Sequence, residues 1–178
     1  MAFIASPFYH TVNDYVCKFL DGTFDDNDLR FMHKINSSDA DSIFRCTEIT
    51  NTNALSHWST IGSHTFFYCQ SLITANFPVC TSIGSSAFYG CQSLTTASFP
   101  VCTRIENGAF NGCSSLASIY FTGTSIPTLN NVDAFGYTPL SNSTYIGKFG
   151  SIYVRSSLLN SFKTAANWSQ YSARMVGV

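Results

Sequence analysis

The sequence predicts an α/β solenoid of about five 22–23-residue coils, with a parallel β-sheet on one face, a helical amino-terminal cap and a carboxyl-terminal capping helix. Three observations carry this. The stretch from Cys69 to Phe88 returns with few changes from Cys91 to Phe110. Within each unit, apolar residues alternate with small polar ones over a strand-length run. Charged residues make up only 11% of the 178 residues, against about 25% in an average soluble domain. Self-similarity at a fixed step of 20–30 residues marks an architecture in which each unit buries its apolar side only against its neighbours.

Three units align without gaps. They open at Ile61, Ile83 and Ile105 and reach Phe66, Phe88 and Phe110; a cysteine follows three residues later (Cys69, Cys91, Cys113), then Leu72, Leu94 or Leu116. The segment "LTTASF" turns Leu94, Ala97 and Phe99 inward and Thr96 and Ser98 outward, because successive side chains of a strand point to opposite faces. The equivalents of that outward pair are Thr74 and Asn76, Ser118 and Tyr120, and Ser151 and Tyr153. These eight residues are the candidate binding face. Toward the ends the repeat degenerates, as capping units do. Ile43, Cys46 and Ile49 repeat the spacing of Phe66, Cys69 and Leu72. "SIYF" at Ser118 returns as "SIYV" at Ser151 after 33 residues, which implies an eleven-residue insertion within "GYTPLSNSTYIGKF".

The seven cysteines raise a choice between metal, disulfides and packing. Zinc sites need thiols converging as closely spaced pairs, and a spacing of eleven supplies none. Bonds along a column leave a cysteine over. Packing is the favoured reading: Cys69, Cys91 and Cys113 form one stacked column, Cys80 and Cys102 a second, each a small, weakly polar filler for a tight interior.

Residues 1–37 are assigned to a helical amino-terminal cap or attachment segment, 38–155 to the solenoid, and 156–178 to the capping helix and tail. "TVNDYVCKFL" carries its apolar residues on one helical face, and "DDNDLRFMHKI" places acids at a helix start and Lys34 near its end. At the other end Ser156 is the expected cap of a helix bearing Leu159, Phe162 and Ala166, followed by Trp168.

Charge separates the chain into parts. Residues 1–50 hold eight acids and four bases, and no Asp, Glu, Lys or Arg lies between Glu48 and Arg104. Nucleic-acid binding requires clustered cations, so it is not expected. No apolar run approaches the roughly 20 residues of a membrane span, so no membrane insertion is expected either. The amino terminus lacks a basic leader followed by an apolar core, so the expected location is the cytoplasm or a virus particle, with a surface or secreted location open by analogy to similar repeats. Asp21, Asp25, Asp26 and Asp28 lack the alternating spacing of a calcium loop. His10, His33, His57 and His64 form no metal-binding pair, although His57 and His64 flank the first clean coil. No nucleophile elbow or glycine-rich phosphate loop occurs. The sequence therefore offers no catalytic set, no cofactor and no metal site.

Ile83 to Pro100 resembles the BspA-like leucine-rich repeat family, whose motif runs approximately I-G-x-x-A-F-x-x-C-x-x-L-x-x-I-x-x-P. The likeness is specific over Ile61–Phe121 and weaker over about 38–60 and 122–155. It departs at Thr65, where the motif has Ala, and at Ala75 and Ala97, where a larger aliphatic is usual. The family consists mostly of surface or secreted proteins of bacteria and some protists, with similar repeats in phages. The resemblance therefore implies a non-enzymatic module for adhesion or for binding a protein or glycan, at a surface or on a particle. Two other roles fit the same features: a phage structural or assembly protein that self-associates, and an intracellular inhibitor or adaptor that docks on a host protein through its acidic head.

Overall fold

The structure, a computed structural model, describes Phe44, residues 48–141 and residues 149–178. The helical segment expected over 1–37, with its acidic cluster, lies outside the described residues, as do Cys17 and Cys46.

The described chain winds into a solenoid with two parallel sheets. The larger contains β2 (Thr74–Asn76), β4 (Thr96–Ser98), β6 (Ser118–Phe121), β8 (Ser151–Val154) and β9 (Met175–Gly177), in that order across the sheet. The smaller contains β1 (Thr60–Ile61), β3 (Ser82–Ile83), β5 (Arg104–Ile105) and β7 (Thr128–Leu129). Register follows the repeat: Thr74 faces Thr96, which faces Ser118, which faces Ser151. A bridge from Asn51 to Thr74 adds a level before β2, so the large-sheet ladder has six levels. Nothing in the repeat pattern announces the sixth, because β9 belongs to the tail and not to the repeat.

The third side of each coil is irregular, and it is held by backbone bonds that run to the next coil. Phe66 N–H donates to the Ala87 carbonyl at 2.7 Å, and Phe88 N–H to that of Ala109 at 2.7 Å. Two positions per coil need a left-handed backbone here. His64, Ser86 and Gly108 occupy the first; Tyr68, Gly90 and Gly112 occupy the second, with φ of 56°, 70° and 76°. A side chain at Gly90 would lie 2.9 Å from the Tyr68 ring, so glycine there serves conformation and close approach together.

Inside, like lies on like. Phe44, Phe66, Phe88, Phe110 and Phe135 form a ladder of stacked rings with centroids 5.0–5.3 Å apart. Phe77, Phe99 and Phe121 form a second ladder, and edge contacts such as Phe88 to Phe99 at 5.9 Å tie the two together. Each ring pair contributes about 0.5–1.5 kcal/mol beyond simple burial.

The inserted residues are divided. Phe110 to Phe135 is a step of 25 rather than 22, so three lie upstream of Phe135. The rest fall between Phe135 and Ser151, within the expected segment. The tail closes the last coil with α1 (Leu159–Thr164), whose Phe162 is buried, and with Trp168, whose indole N–H donates to the Pro127 carbonyl at 2.7 Å. Ser156 does not cap α1. Its hydroxyl and its N–H both donate to the Val178 carbonyl, which ties the start of the tail to β9. Ala166 lies beyond the helix and is exposed.

Phe88→Ala should destabilise the chain by about 3–5 kcal/mol, because it removes two stacked neighbours and leaves a cavity between coils. Val101→Ala, at a half-exposed turn position, should cost less than about 0.5 kcal/mol. Urea unfolding measures both.

Candidate functional site

Each strand of the larger sheet is three or four residues long and buries alternate side chains. Ala75, Ala97, Ile119, Phe121, Ile152 and Val154 fill the interior, so their neighbours must face out. All eight residues proposed from the sequence lie on that outer face in register. One row reads Thr74, Thr96, Ser118, Ser151; the other reads Asn76, Ser98, Tyr120, Tyr153 and continues to Val176 of β9. Tyr120 and Tyr153 stack with centroids 4.6 Å apart and planes 10° from parallel.

The hydroxyls around the coil fall into two groups. Thr81, Thr95 and Thr103, at the turns, donate to carbonyls one coil earlier (Ser59, Ile73 and Thr81) at 3.0–3.1 Å. Those hydroxyls are engaged in holding coils together. Among the described residues, the side chains of Asn76, Thr96 and Ser98 make no hydrogen bond, so their polar atoms face solvent.

Sequence reasoning missed a second surface feature. Phe67 stacks on Tyr89 at 5.2 Å, and Tyr68 and His64 lean against this pair on the irregular side of the solenoid. Phe67 and Tyr89 recur at the 22-residue step, but the third equivalent is Asn111, so no repeat of three announces the patch. His57 is exposed and lies apart from it in sequence.

The cysteines lie where packing places them. Cys69, Cys91 and Cys113 are buried, and each thiol donates to a phenylalanine carbonyl one coil back: Phe44 at 2.7 Å, Phe66 at 3.0 Å and Phe88 at 3.0 Å. Thr138, 25 residues after Cys113, is likewise fully buried. Cys80 and Cys102 donate within their own turns to Ser82 and Arg104 carbonyls. All five are free thiols. Burial pushes the Cys80 and Cys102 thiols up to about 12, and Cys91 is likewise raised by burial and by the neighbouring Cys113 thiol. A thiol held neutral in this way is a poor nucleophile and a poor metal ligand. Among the described residues no three His, Cys, Asp or Glu side chains gather as a metal site.

The chain carries three Asn-x-Ser/Thr sequons, at Asn36, Asn142 and Asn167, of which Asn167 lies within the described residues. Its amide donates to the Leu129 carbonyl at 2.7 Å from a left-handed backbone, so it anchors the tail to β7.

The family model for the BspA type leucine rich repeat region matches residues 39–162 in six copies. The chain belongs to that family. No curated protein matches it. Modules of this repeat class are generally binding and recognition units rather than catalysts, and they typically engage other proteins.

The thiols set a dependence of stability on pH. In the unfolded chain they ionise near pH 8.5, whereas in the fold Cys80 and Cys102 hold their protons to about 12. The stability they contribute is present in full below about pH 8.5 and is lost as pH rises toward 12, at up to about 1.4 kcal/mol per pH unit for each thiol. The urea midpoint should therefore fall between pH 8 and 10, and less steeply in Cys80→Ala/Cys102→Ala. Ellman's reagent at pH 8 should leave Cys69, Cys80, Cys91, Cys102 and Cys113 unmodified until urea unfolds the chain.

Proposed function

We propose that the protein is a non-catalytic recognition module that adheres to a protein or glycan through the outer face of its five-stranded sheet and the turns beside it. One observation carries this reading: Thr74, Asn76, Thr96, Ser98, Ser118, Tyr120, Ser151 and Tyr153 present one uncharged, in-register surface that ends in a stacked tyrosine pair. Tyrosine with small polar neighbours supplies rigid, amphipathic contact area beside adaptable hydrogen-bonding groups, the chemistry of adaptable binding surfaces. A surface without charge from Glu48 to Arg104 repels few partners.

The reading is tested on arrays of immobilised proteins and glycans with the unmodified chain and with Tyr120→Asp/Tyr153→Asp. Binding to any ligand the unmodified chain retains should weaken at least about tenfold in the variant, with the urea midpoint held. Undiminished binding by a folded variant would remove this face as the site.

A further inference from the structure

The outer face carries a ring ladder that stops short. Tyr153 covers one face of the Tyr120 ring at 4.6 Å. On the other side of Tyr120 the register partner is Ser98, and beyond Ser98 comes Asn76. Strands in a sheet lie about 4.8 Å apart, so the step above Ser98 has the width of one flat ring. It is bounded by an aromatic face at one side and by the Asn76 amide at the other. The hydroxyls of Thr96 and Ser98 form its floor, and their polar atoms are engaged by nothing else among the described residues.

We propose that this step is a subsite for one neutral pyranose ring of a glycan, stacked on Tyr120 and hydrogen-bonded by Asn76, Thr96 and Ser98. The inference rests on the outer face being the recognition surface. Three features select a sugar. An apolar C–H face beside a polar rim matches an aromatic wall beside hydroxyl and amide groups. No Asp, Glu, Lys or Arg lies between Glu48 and Arg104, so the step matches a ligand without charge. Toward the far end of the sheet, Arg155 after β8 donates to the Gly123 carbonyl, and Arg174 before β9 holds its guanidinium over the Phe149 ring. Area is the third. Five strands of about three residues span roughly 24 by 10 Å, far below the approximately 800 Å² per partner of a stable protein–protein contact. That footprint suits a short run of saccharide units.

The test is affinity electrophoresis of the whole chain through native gels containing a soluble neutral glucan, mannan or galactan, with heparin as the polyanionic comparison. At least one neutral polysaccharide should retard the protein, and heparin should not. Ser98→Tyr continues the ring ladder into the step and should abolish the retardation. Tyr120→Ala should weaken binding at least about tenfold. Val132→Ala, exposed on the irregular side of the solenoid, should change nothing. Urea midpoints report whether each variant folds, and Tyr120→Ala keeps the test decisive if Ser98→Tyr does not fold. Retardation by heparin alone, or by no neutral polysaccharide, would overturn the saccharide assignment. Retardation that survives both Ser98→Tyr and Tyr120→Ala would overturn the subsite; if Tyr120→Asp/Tyr153→Asp then removed it, the face itself would stand. A protein ligand lost in Tyr120→Asp/Tyr153→Asp, with no polysaccharide bound, would keep the recognition face and discard the sugar.

Discussion

Coil-on-coil stacking in register is the constraint from which the rest of this structure follows. A backbone N–H in one coil finds its carbonyl in the next only when the chain returns after a set number of residues. Phe66 N–H to Ala87 and Phe88 N–H to Ala109 are the same bond 22 residues apart. The same return lays Phe66 on Phe88 and Phe88 on Phe110 at 5.0 and 5.1 Å. Rings, thiols and backbone bonds thus share one periodicity; extra residues loop out, as in the step of 25 from Phe110 to Phe135, but a missing residue would break all three at once.

This constraint also explains the unusual composition. In an in-register stack a charge repeated at the same position lies on its own copy about 4.8 Å away. Such a pair repels by about 0.9 kcal/mol in water and about 3.5 kcal/mol at an effective dielectric of 20. A repeat that copies itself faithfully is better served by Ser, Thr, Asn and Gln outside, and no Asp, Glu, Lys or Arg lies between Glu48 and Arg104. Where charge returns it is balanced within the coil, as Arg104 pairs with Glu106. The interior follows the same logic. Each thiol of the column donates to the carbonyl of the preceding coil's phenylalanine, satisfying a buried acceptor with a side chain small enough for the gap.

Much of this was legible in the sequence because it recurs. The step of 22, the inward Leu, Cys and Phe, and the outward rows from Thr74 to Tyr153 are all periodic, and alternation decides which side faces out. What does not recur was hidden. The strands of the second sheet have two residues each, too few for alternation to reveal them. The tail strand β9 has no counterpart in the repeat and joins the sheet only because α1 and the turns after it carry the chain back beside β8. Ser156 has the chemistry of a helix cap, but its hydroxyl is drawn to Val178 by that same return. The patch of Phe67, Tyr68 and Tyr89 covers only two coils. Specificity lies in such departures from the repeat: Tyr120 and Tyr153 stand where earlier coils have Asn76 and Ser98, and that change gives an otherwise uniform sheet a distinct end.

The central claim is that the chain is held by a step of 22 residues, and shortening the array by one coil tests it most directly. Removing residues 82–103 joins Thr81 to Arg104 and keeps every later residue in register; removing residues 82–104 leaves the coil one residue short. Urea unfolding of the two shortened chains should show a cooperative transition for the first and none for the second. Two shortened chains of equal stability would contradict the account.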